Sequence, residues 1–162
     1  MKARFISVVF LGVLVSAGLF AQTKVSGTCT CKADPPPTPV ALTDKPNHAF
    51  AVGKAGCTWT KFEVGGQQPK SGIATDLDEI NGDTTSVRGY HVATMTSGDT
   101  WVAKYQGSGK SKDGKPVSGE GTWTFESGTG KLKGVKGKGT YKGTGNPDGS
   151  LTYQCDGEYT LP

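Results

Sequence analysis

The chain has 162 residues, with 18 basic and 14 acidic side chains, 25 glycines and four cysteines. Its length allows one domain around one hydrophobic core. Two of the basic residues lie in the first 21 positions, so the remainder has 18 − 2 = 16 basic against 14 acidic residues and is close to neutral, which argues against a strongly basic protein.

The first 21 residues predict an export signal. Lys2 and Arg4 precede an apolar run from Phe5 to Val15, and small residues then lead to Ala21, the predicted last residue before cleavage. This run is short for a membrane span, and an uncleaved anchor helix is the alternative interpretation. The sequence therefore predicts an exported protein, periplasmic or secreted, without stable membrane insertion.

Cleavage after Ala21 predicts a mature chain that begins near Gln22. The intact mass of the exported protein measures this start directly. A mass that includes Met1 would contradict cleavage and support the anchor helix.

The next segment, residues 22–39, is polar and ends in the proline run "PPPTP". Consecutive prolines favour the extended polyproline II conformation and cannot join a central strand. The segment is therefore predicted to be a spacer, and residues 40–162 are predicted to form the folded domain.

The folded domain reads as all-β. Short runs rich in threonine and aromatic residues alternate with turn sequences such as "GG", "KDG" and "NPDG", which are typical of hairpins. Eight antiparallel strands in so short a domain favour a single closed β-barrel, because closure removes exposed strand edges. A two-sheet sandwich is the alternative. The predicted strands are residues 47–53, 56–64, 72–77, 86–96, 100–107, 116–126, 131–143 and 150–160.

Alternation along each strand sorts the side chains into an inner and an outer set. In "TWVAKYQG" and "GTWTFE" the aromatic side chains share the inner parity, and in "SVRGYHVATMT" the apolar parity places His91 inside. His91 is either a core histidine bonded to a tyrosine hydroxyl or a carbonyl, or a polar anchor for a ligand. The opposite register, with Tyr90 and Val92 inward, is the third alternative. The candidate lumen residues are His91, Trp101, Tyr105, Trp123, Tyr141 and Tyr153.

The glycine- and lysine-rich stretch from Gly128 to Gly145 also reads as sheet. Lys136, Lys138 and Lys142 share the outer parity, whereas the glycines and Tyr141 share the inner one, with a bulge or bend predicted near Gly134. The stretch lacks the order of a nucleotide-binding loop. Nucleic-acid binding is not predicted, because the aromatic side chains have inward parity. The lysines are predicted to be a solvated outer face, or else a field that steers an anionic ligand.

The four cysteines form an even set in a compartment that permits disulfides. A Cys57–Cys155 bond is the favoured pairing, because the last strand of a closed barrel lies beside the first strands. The competing pairing joins Cys29 or Cys31 to Cys57 or Cys155. No metal site or cofactor is predicted, because a structural zinc site usually needs two closely spaced pairs and only Cys29 and Cys31 are close.

The segments "GTWTFESGTGKLKGVKGKGTYKGTG" and "GEYTLP" resemble exported bacterial proteins of unknown function. The portion "GTGKLKGVKGKG" is more distantly similar to the strand–turn–strand of allene oxide cyclase-like and dirigent barrels. This resemblance implies an eight-stranded calycin-type barrel. It also implies, for those families, action through a shaped hydrophobic lumen, but none of their functional residues matches a position here.

The predicted role is non-enzymatic binding of a small apolar or aromatic molecule in the lumen. An isomerase or coupling-guide protein of the allene oxide cyclase or dirigent kind is the second hypothesis. A structural envelope protein with a filled core is the third. No catalytic residue is assigned, and the sequence does not predict the oligomeric state.

Overall fold

The computed structural model describes residues 22–162, so the predicted signal peptide and its cleavage point lie outside the described residues. Within that range the chain forms nine strands and one 3₁₀ turn, Gly130–Leu132, and no helix there could cross a membrane. The strands are β1 Thr23–Ala33, β2 Val40–Ala41, β3 His48–Thr60, β4 Pro69–Asn81, β5 Thr84–Met95, β6 Thr100–Lys112, β7 Lys115–Gly128, β8 Lys136–Gly145 and β9 Leu151–Thr160.

Eight of these strands close into an antiparallel barrel. Each strand from β3 to β9 pairs with the next, β9 pairs with β1, and β1 pairs with β3 to complete the circle. The short β2 pairs with the beginning of β3, outside this circle. The predicted all-β closed barrel is therefore confirmed, and tight turns such as Asp113–Gly114, with φ of 53° and 73°, connect its hairpins.

The predicted spacer is wrong for its first half, because β1 is a full barrel strand. Thr23–Ala33 pairs with β9 along one edge and with β3 along the other. Val25 and Cys29 point inward and are buried, and polar residues occupy the outer positions between them. The barrel domain thus begins at Thr23 rather than Val40, and only the proline run leaves the sheet.

The strands also differ from the predicted ranges, most of all at β3 and β8. Residues 47–53 and 56–64 were separate predicted strands, yet β3 runs unbroken from His48 to Thr60. At the other end, β8 begins only at Lys136, because the 3₁₀ turn Gly130–Leu132 is followed by a turn in which Gly134 takes a φ of 80°. The irregularity predicted near Gly134 is therefore real, and it precedes the strand.

One half of the barrel is filled with side chains. Here the loop after β3 brings Phe62 and Val64 under the barrel, and the 3₁₀ turn adds Leu132 from the opposite side. These side chains pack with Trp101 and Phe125 into a core in which all five are at most 2% exposed. This core closes one end, so that any internal space lies in the other half.

The inner wall is built from aromatic rings that lie over glycines on the neighbouring strands. Trp123 lies against Gly139 and Gly157, so that a Cβ at either glycine would stand 2.5 Å from its ring. The Tyr153 ring lies in the same way over Gly143. Because glycine has no side chain, each ring can lie flat against the backbone instead of projecting across the lumen. This packing leaves room in the middle of the barrel.

Candidate functional site: the barrel lumen

A cavity of about 610 Å³ occupies the half of the barrel opposite the filled core. Its wall reaches from the buried Trp101 and His91 at the bottom to the tips of the β6–β7 and β8–β9 hairpins, where Gly114 and Gly149 lie. That size is in the range of cavities that hold one small organic molecule. The lumen is thus closed at one end and open at the other.

All six residues predicted from parity border this cavity, and they are His91, Trp101, Tyr105, Trp123, Tyr141 and Tyr153. Their inward parity is therefore confirmed. The two tryptophans are 2% and 7% exposed and form the floor. Tyr105 and Tyr153 are partly buried and form the walls. Contact of these six residues with a ligand stays a prediction.

Three tyrosines form a continuous aromatic wall above the floor. The Tyr105 and Tyr141 rings are perpendicular with centroids 6.3 Å apart, and Tyr141 and Tyr153 are perpendicular at 5.5 Å. Perpendicular packing of this kind is favourable because the positive edge of one ring meets the negative face of the next. Burial raises the pKa of the Tyr141 and Tyr153 hydroxyls, and the negative charge of Asp76 adds to the rise. Both hydroxyls are therefore neutral at physiological pH.

Two carboxyl groups in the lumen were not predicted from the sequence. Asp76 and Asp78 lie on the inner face of β4 and border the cavity. Burial raises the pKa of Asp76 to about 7, with a further contribution from Asp78. Burial alone raises the pKa of Asp78. The alternation of Ala74, Asp76, Asp78 and Ile80 was the available signal, but acidic side chains are usually assigned to the wet face of a strand.

Asp76 is placed by glycines on both neighbouring strands. It lies opposite Gly53 of β3 and Gly89 of β5. Its Oδ2 is 3.7 Å from the point where a Cβ at Gly53 would stand, and the Tyr105 ring lies over Gly89. The Pro37 ring lies 3.8 Å from the same point, and the carboxyl borders the cavity.

His91 is a core histidine with a tryptophan as its partner. The Trp59 indole Nε1 donates a hydrogen bond to His91 Nε2 at 3.0 Å, and the imidazole stacks on Trp101 at a centroid distance of 5.3 Å. Because Nε2 accepts, the proton of the neutral ring is on Nδ1. Burial lowers the pKa of His91 to about 4, so the ring is uncharged at physiological pH. The predicted partner, a tyrosine hydroxyl or a carbonyl, was wrong.

The disulfide joins Cys31 to Cys57, which overturns the favoured Cys57–Cys155 pairing and matches the competing one. The reason is the undetected β1: Cys31 lies directly opposite Cys57, whereas Cys155 faces Gly27. Cys29 and Cys155 are buried free thiols, and burial raises the pKa of Cys155 to about 12. The Cys29 sulfur is 3.3 Å from that of Cys31, so the wall contains a thiol in contact with a disulfide.

The proline run forms part of the rim of the lumen. Pro36, Pro37 and Pro39 border the cavity beside Lys32, which forms a salt bridge of 3.3 Å with Asp148 of the β8–β9 turn. Hydrogen bonds of His48 hold the loop between β2 and β3 in place. The His48 Nδ1 lies 2.7 Å from an Asp44 oxygen and its Nε2 lies 3.1 Å from a Glu79 oxygen, and these bonds raise its pKa. The rim is thus an ordered edge.

Comparison with known proteins supports the fold. No protein-family model and no curated protein sequence matches the chain. The chain is similar in structure to a protein of unknown function from the DUF3224 family of Shewanella oneidensis MR-1. The TM-score is 0.53 at 15% identity, over 88% of this chain and 98% of that one. It is also similar to the pterocarpan synthase dirigent protein GePTS1, with a TM-score of 0.50 at 14% identity, over 99% and 100% of the two chains.

These similarities confirm the resemblance to dirigent-type barrels at the level of the fold. At 15% and 14% identity they carry no residue roles to this chain. Function has to be argued from the lumen itself. The chain is an eight-stranded closed barrel of dirigent-like fold with a half-open lumen.

Proposed function

We propose that this protein is an exported barrel that binds one small aromatic or apolar molecule in its lumen. The observation that carries the proposal is the cavity of about 610 Å³, which is closed at its floor by tryptophans and open at its rim. Binding sites for small molecules combine mostly apolar walls with a few convergent polar groups, and the tyrosines, Asp76 and Asp78 supply that combination here.

Export is supported by two features of different kinds. The first 21 residues have the pattern of a signal peptide, and the Cys31–Cys57 disulfide fits an oxidising compartment. The filled-core hypothesis gains no support, because side chains fill only one half of the barrel.

Val87→Trp tests the proposal by filling the cavity. Val87 faces the lumen from β5 and is partly exposed to it. An indole at that position would occupy space that the ligand needs. We expect binding of a neutral aromatic probe, 3-propylindole, to weaken at least tenfold in isothermal titration calorimetry.

Arg88→Trp is the matched control, because the neighbouring residue points outward and is exposed. It adds the same ring without entering the lumen, so it should bind the probe like the wild type. Equal affinity of all three proteins would place the binding site outside the lumen and contradict the proposal.

An isomerase that moves a proton is the second candidate, and one observation favours it. A carboxyl whose pKa is about 7 exchanges its proton readily at neutral pH, and Asp76 is such a group inside the lumen. The two candidates separate on the fate of the bound molecule. A binding protein releases it unchanged, whereas an isomerase converts it, and Asp76→Asn would stop that conversion.

A further inference from the structure

The lumen carries negative charge that the chain itself leaves unbalanced. Among residues 22–162 neither Asp76 nor Asp78 takes part in a salt bridge, although both border the cavity. A buried carboxylate without a partner is costly, and it either takes up a proton or pairs with a cation. This feature concerns the same cavity as the proposed function and rests on it.

Lys32, Lys110 and Lys115 border the cavity, but none of them forms a salt bridge with Asp76 or Asp78. From Lys104 to Lys142 the sequence has nine lysines, and Lys136, Lys138 and Lys142 are exposed on the outer face of β8. Lys32 is at the rim and is already paired with Asp148. Asp76 and Asp78 are therefore left without a cationic partner in the described part of the chain, and the exposed lysines of β8 match the predicted solvated outer face.

Three tyrosines, Tyr105, Tyr141 and Tyr153, border the same cavity as the two carboxyls. Tyr105 lies over Gly89, directly beside Asp76, and the charge of Asp76 and Asp78 raises the pKa of Tyr141 and Tyr153 after burial. The Tyr141 side chain is 9% exposed and borders the cavity, and its hydroxyl has no hydrogen-bond partner in the described part of the chain. Aromatic rings around a carboxylate are a recurrent way to bind organic ammonium groups, because the ring faces attract positive charge.

We propose that the ligand of the lumen is an aromatic amine, whose ammonium group pairs with the Asp76 carboxylate while its ring packs against Tyr105, Tyr141 and Tyr153. Asp78 adds a second negative charge beside the first. A neutral ligand with a carbonyl oxygen would use the same site differently, since it would need Asp76 protonated as a hydrogen-bond donor. The two ligand classes therefore predict opposite responses to removal of the charge.

Tryptamine and 3-propylindole form a matched pair of probes, because they differ by an ammonium group in place of a methyl group. At pH 8 we expect the wild type to bind tryptamine about tenfold more tightly than 3-propylindole in isothermal titration calorimetry. Asp76→Asn keeps the shape and removes the charge, so the preference should fall to about twofold or less. Asp78→Asn is the second variant and should reduce the preference less.

Glu120→Gln is the control for charge in general. Glu120 is exposed on the outer face of β7, opposite Lys142, and the change removes one negative charge without touching the lumen. This variant should keep the full preference for tryptamine. A loss of preference equal to that of Asp76→Asn would show long-range attraction only and would overturn the inference.

The pH dependence of the preference for tryptamine tests the inference independently. The titratable groups that border the cavity are Asp76, Asp78, His91, Tyr105, Tyr141, Tyr153, Cys29 and Cys155, together with Lys32, Lys110, Lys115 and Asp148. Hydrogen bonds with Ser150 lower the pKa of Asp148 to about 2, so that carboxylate keeps its charge over the range tested. His91 is neutral above its pKa of about 4, and burial keeps Cys29, Cys155, Tyr141 and Tyr153 protonated. Between pH 5.5 and 8 the Asp76 and Asp78 carboxyls are thus the groups expected to change charge, so the preference for tryptamine should grow with pH.

Each result decides between the two proposals. Equal affinity for both probes, or a preference that persists in Asp76→Asn, would overturn the aromatic-amine inference and leave lumen binding intact. Failure of both probes to bind would overturn lumen binding of aromatic molecules, and the inference with it. Weaker tryptamine binding at pH 8 than at pH 5.5 would also overturn the aromatic-amine inference, because the ammonium group would then gain nothing from the ionised carboxyl.

Discussion

Replacing Gly139 with alanine is expected to lower the free energy of unfolding by about 3 kcal/mol, the upper part of the range for overpacked cores. A Cβ at Gly139 would collide with the Asp156 carbonyl and stand 2.5 Å from the Trp123 ring, which is 7% exposed. Neither neighbour can move freely, since one is backbone and the other is packed in the core. We expect the melting temperature to fall by about 10 °C in a thermal melt followed by circular dichroism.

Gly56→Ala provides the control for this substitution. Gly56 is on β3, and a Cβ there would meet no atom within 4 Å. The change should alter the free energy of unfolding by less than about 0.5 kcal/mol. If Gly139→Ala melts at the same temperature as Gly56→Ala, the rings do not lie against the glycine wall and the cavity has a different shape.

Acidification is expected to destabilise the protein through His91, by about 2–3 kcal/mol between pH 7.5 and pH 4.5. Burial lowers the pKa of His91 to about 4, against about 6.5 in the unfolded chain. Between pH 6.5 and pH 4 the imidazole is protonated in the unfolded chain but not in the folded protein. The stability that His91 contributes is therefore present above pH 6.5 and is lost as the pH falls towards 4.

Asp76 acts in the opposite direction and has to be removed first. Its pKa of about 7 exceeds the usual value, so its contribution to stability is full at low pH and is lost as the pH rises from about 4 to 7. The comparison is therefore Asp76→Asn against the double variant Asp76→Asn, His91→Phe, by urea unfolding at both pH values.

The single variant should lose stability on acidification, and the double variant should lose about 2–3 kcal/mol less. His91→Phe also leaves the Trp59 indole without its acceptor, which costs about 1–3 kcal/mol at every pH. Parallel pH curves for the two proteins would mean that His91 reaches water in the folded state.

The sequence was informative where a strand has apolar residues on one face only. Trp123 and Phe125 alternate with threonines, and Tyr153 and Cys155 alternate with polar residues, so the inner set could be predicted from the sequence. The same alternation identified His91 as an inner residue. Closure followed from the number of hairpins, because an open sheet of that size would leave two exposed edges.

The sequence was misleading where the inner face is not apolar. The inner residues of β1 are small, among them Gly27 and Cys29, so the strand was interpreted as a polar spacer. The predicted disulfide pairing was wrong for the same reason, because Cys31 lies opposite Cys57 only if β1 is part of the barrel. Asp76 was missed because parity alone cannot show that a strand lines an open cavity instead of a dry core.

The hydrogen bond of His91 could not be predicted, because its partner comes from the end of another strand. Trp59 lies next to the last residue of β3, 32 residues before His91. The contact depends on how the Trp59 and His91 side chains pack over Gly72 of β4. Local sequence patterns carry no information on such a pairing. The choice between an interior anchor and a satisfied core histidine therefore needed the structure.

The measurement that tests the central claim most directly is native mass spectrometry of the protein purified from its own host. The account predicts an added mass of one small molecule on the wild type, which is lost on denaturation and is absent from Val87→Trp. Bare wild-type protein that also gains no mass from a small-molecule extract of the host would contradict lumen binding. An added mass that persists on Val87→Trp would place the ligand elsewhere on the barrel.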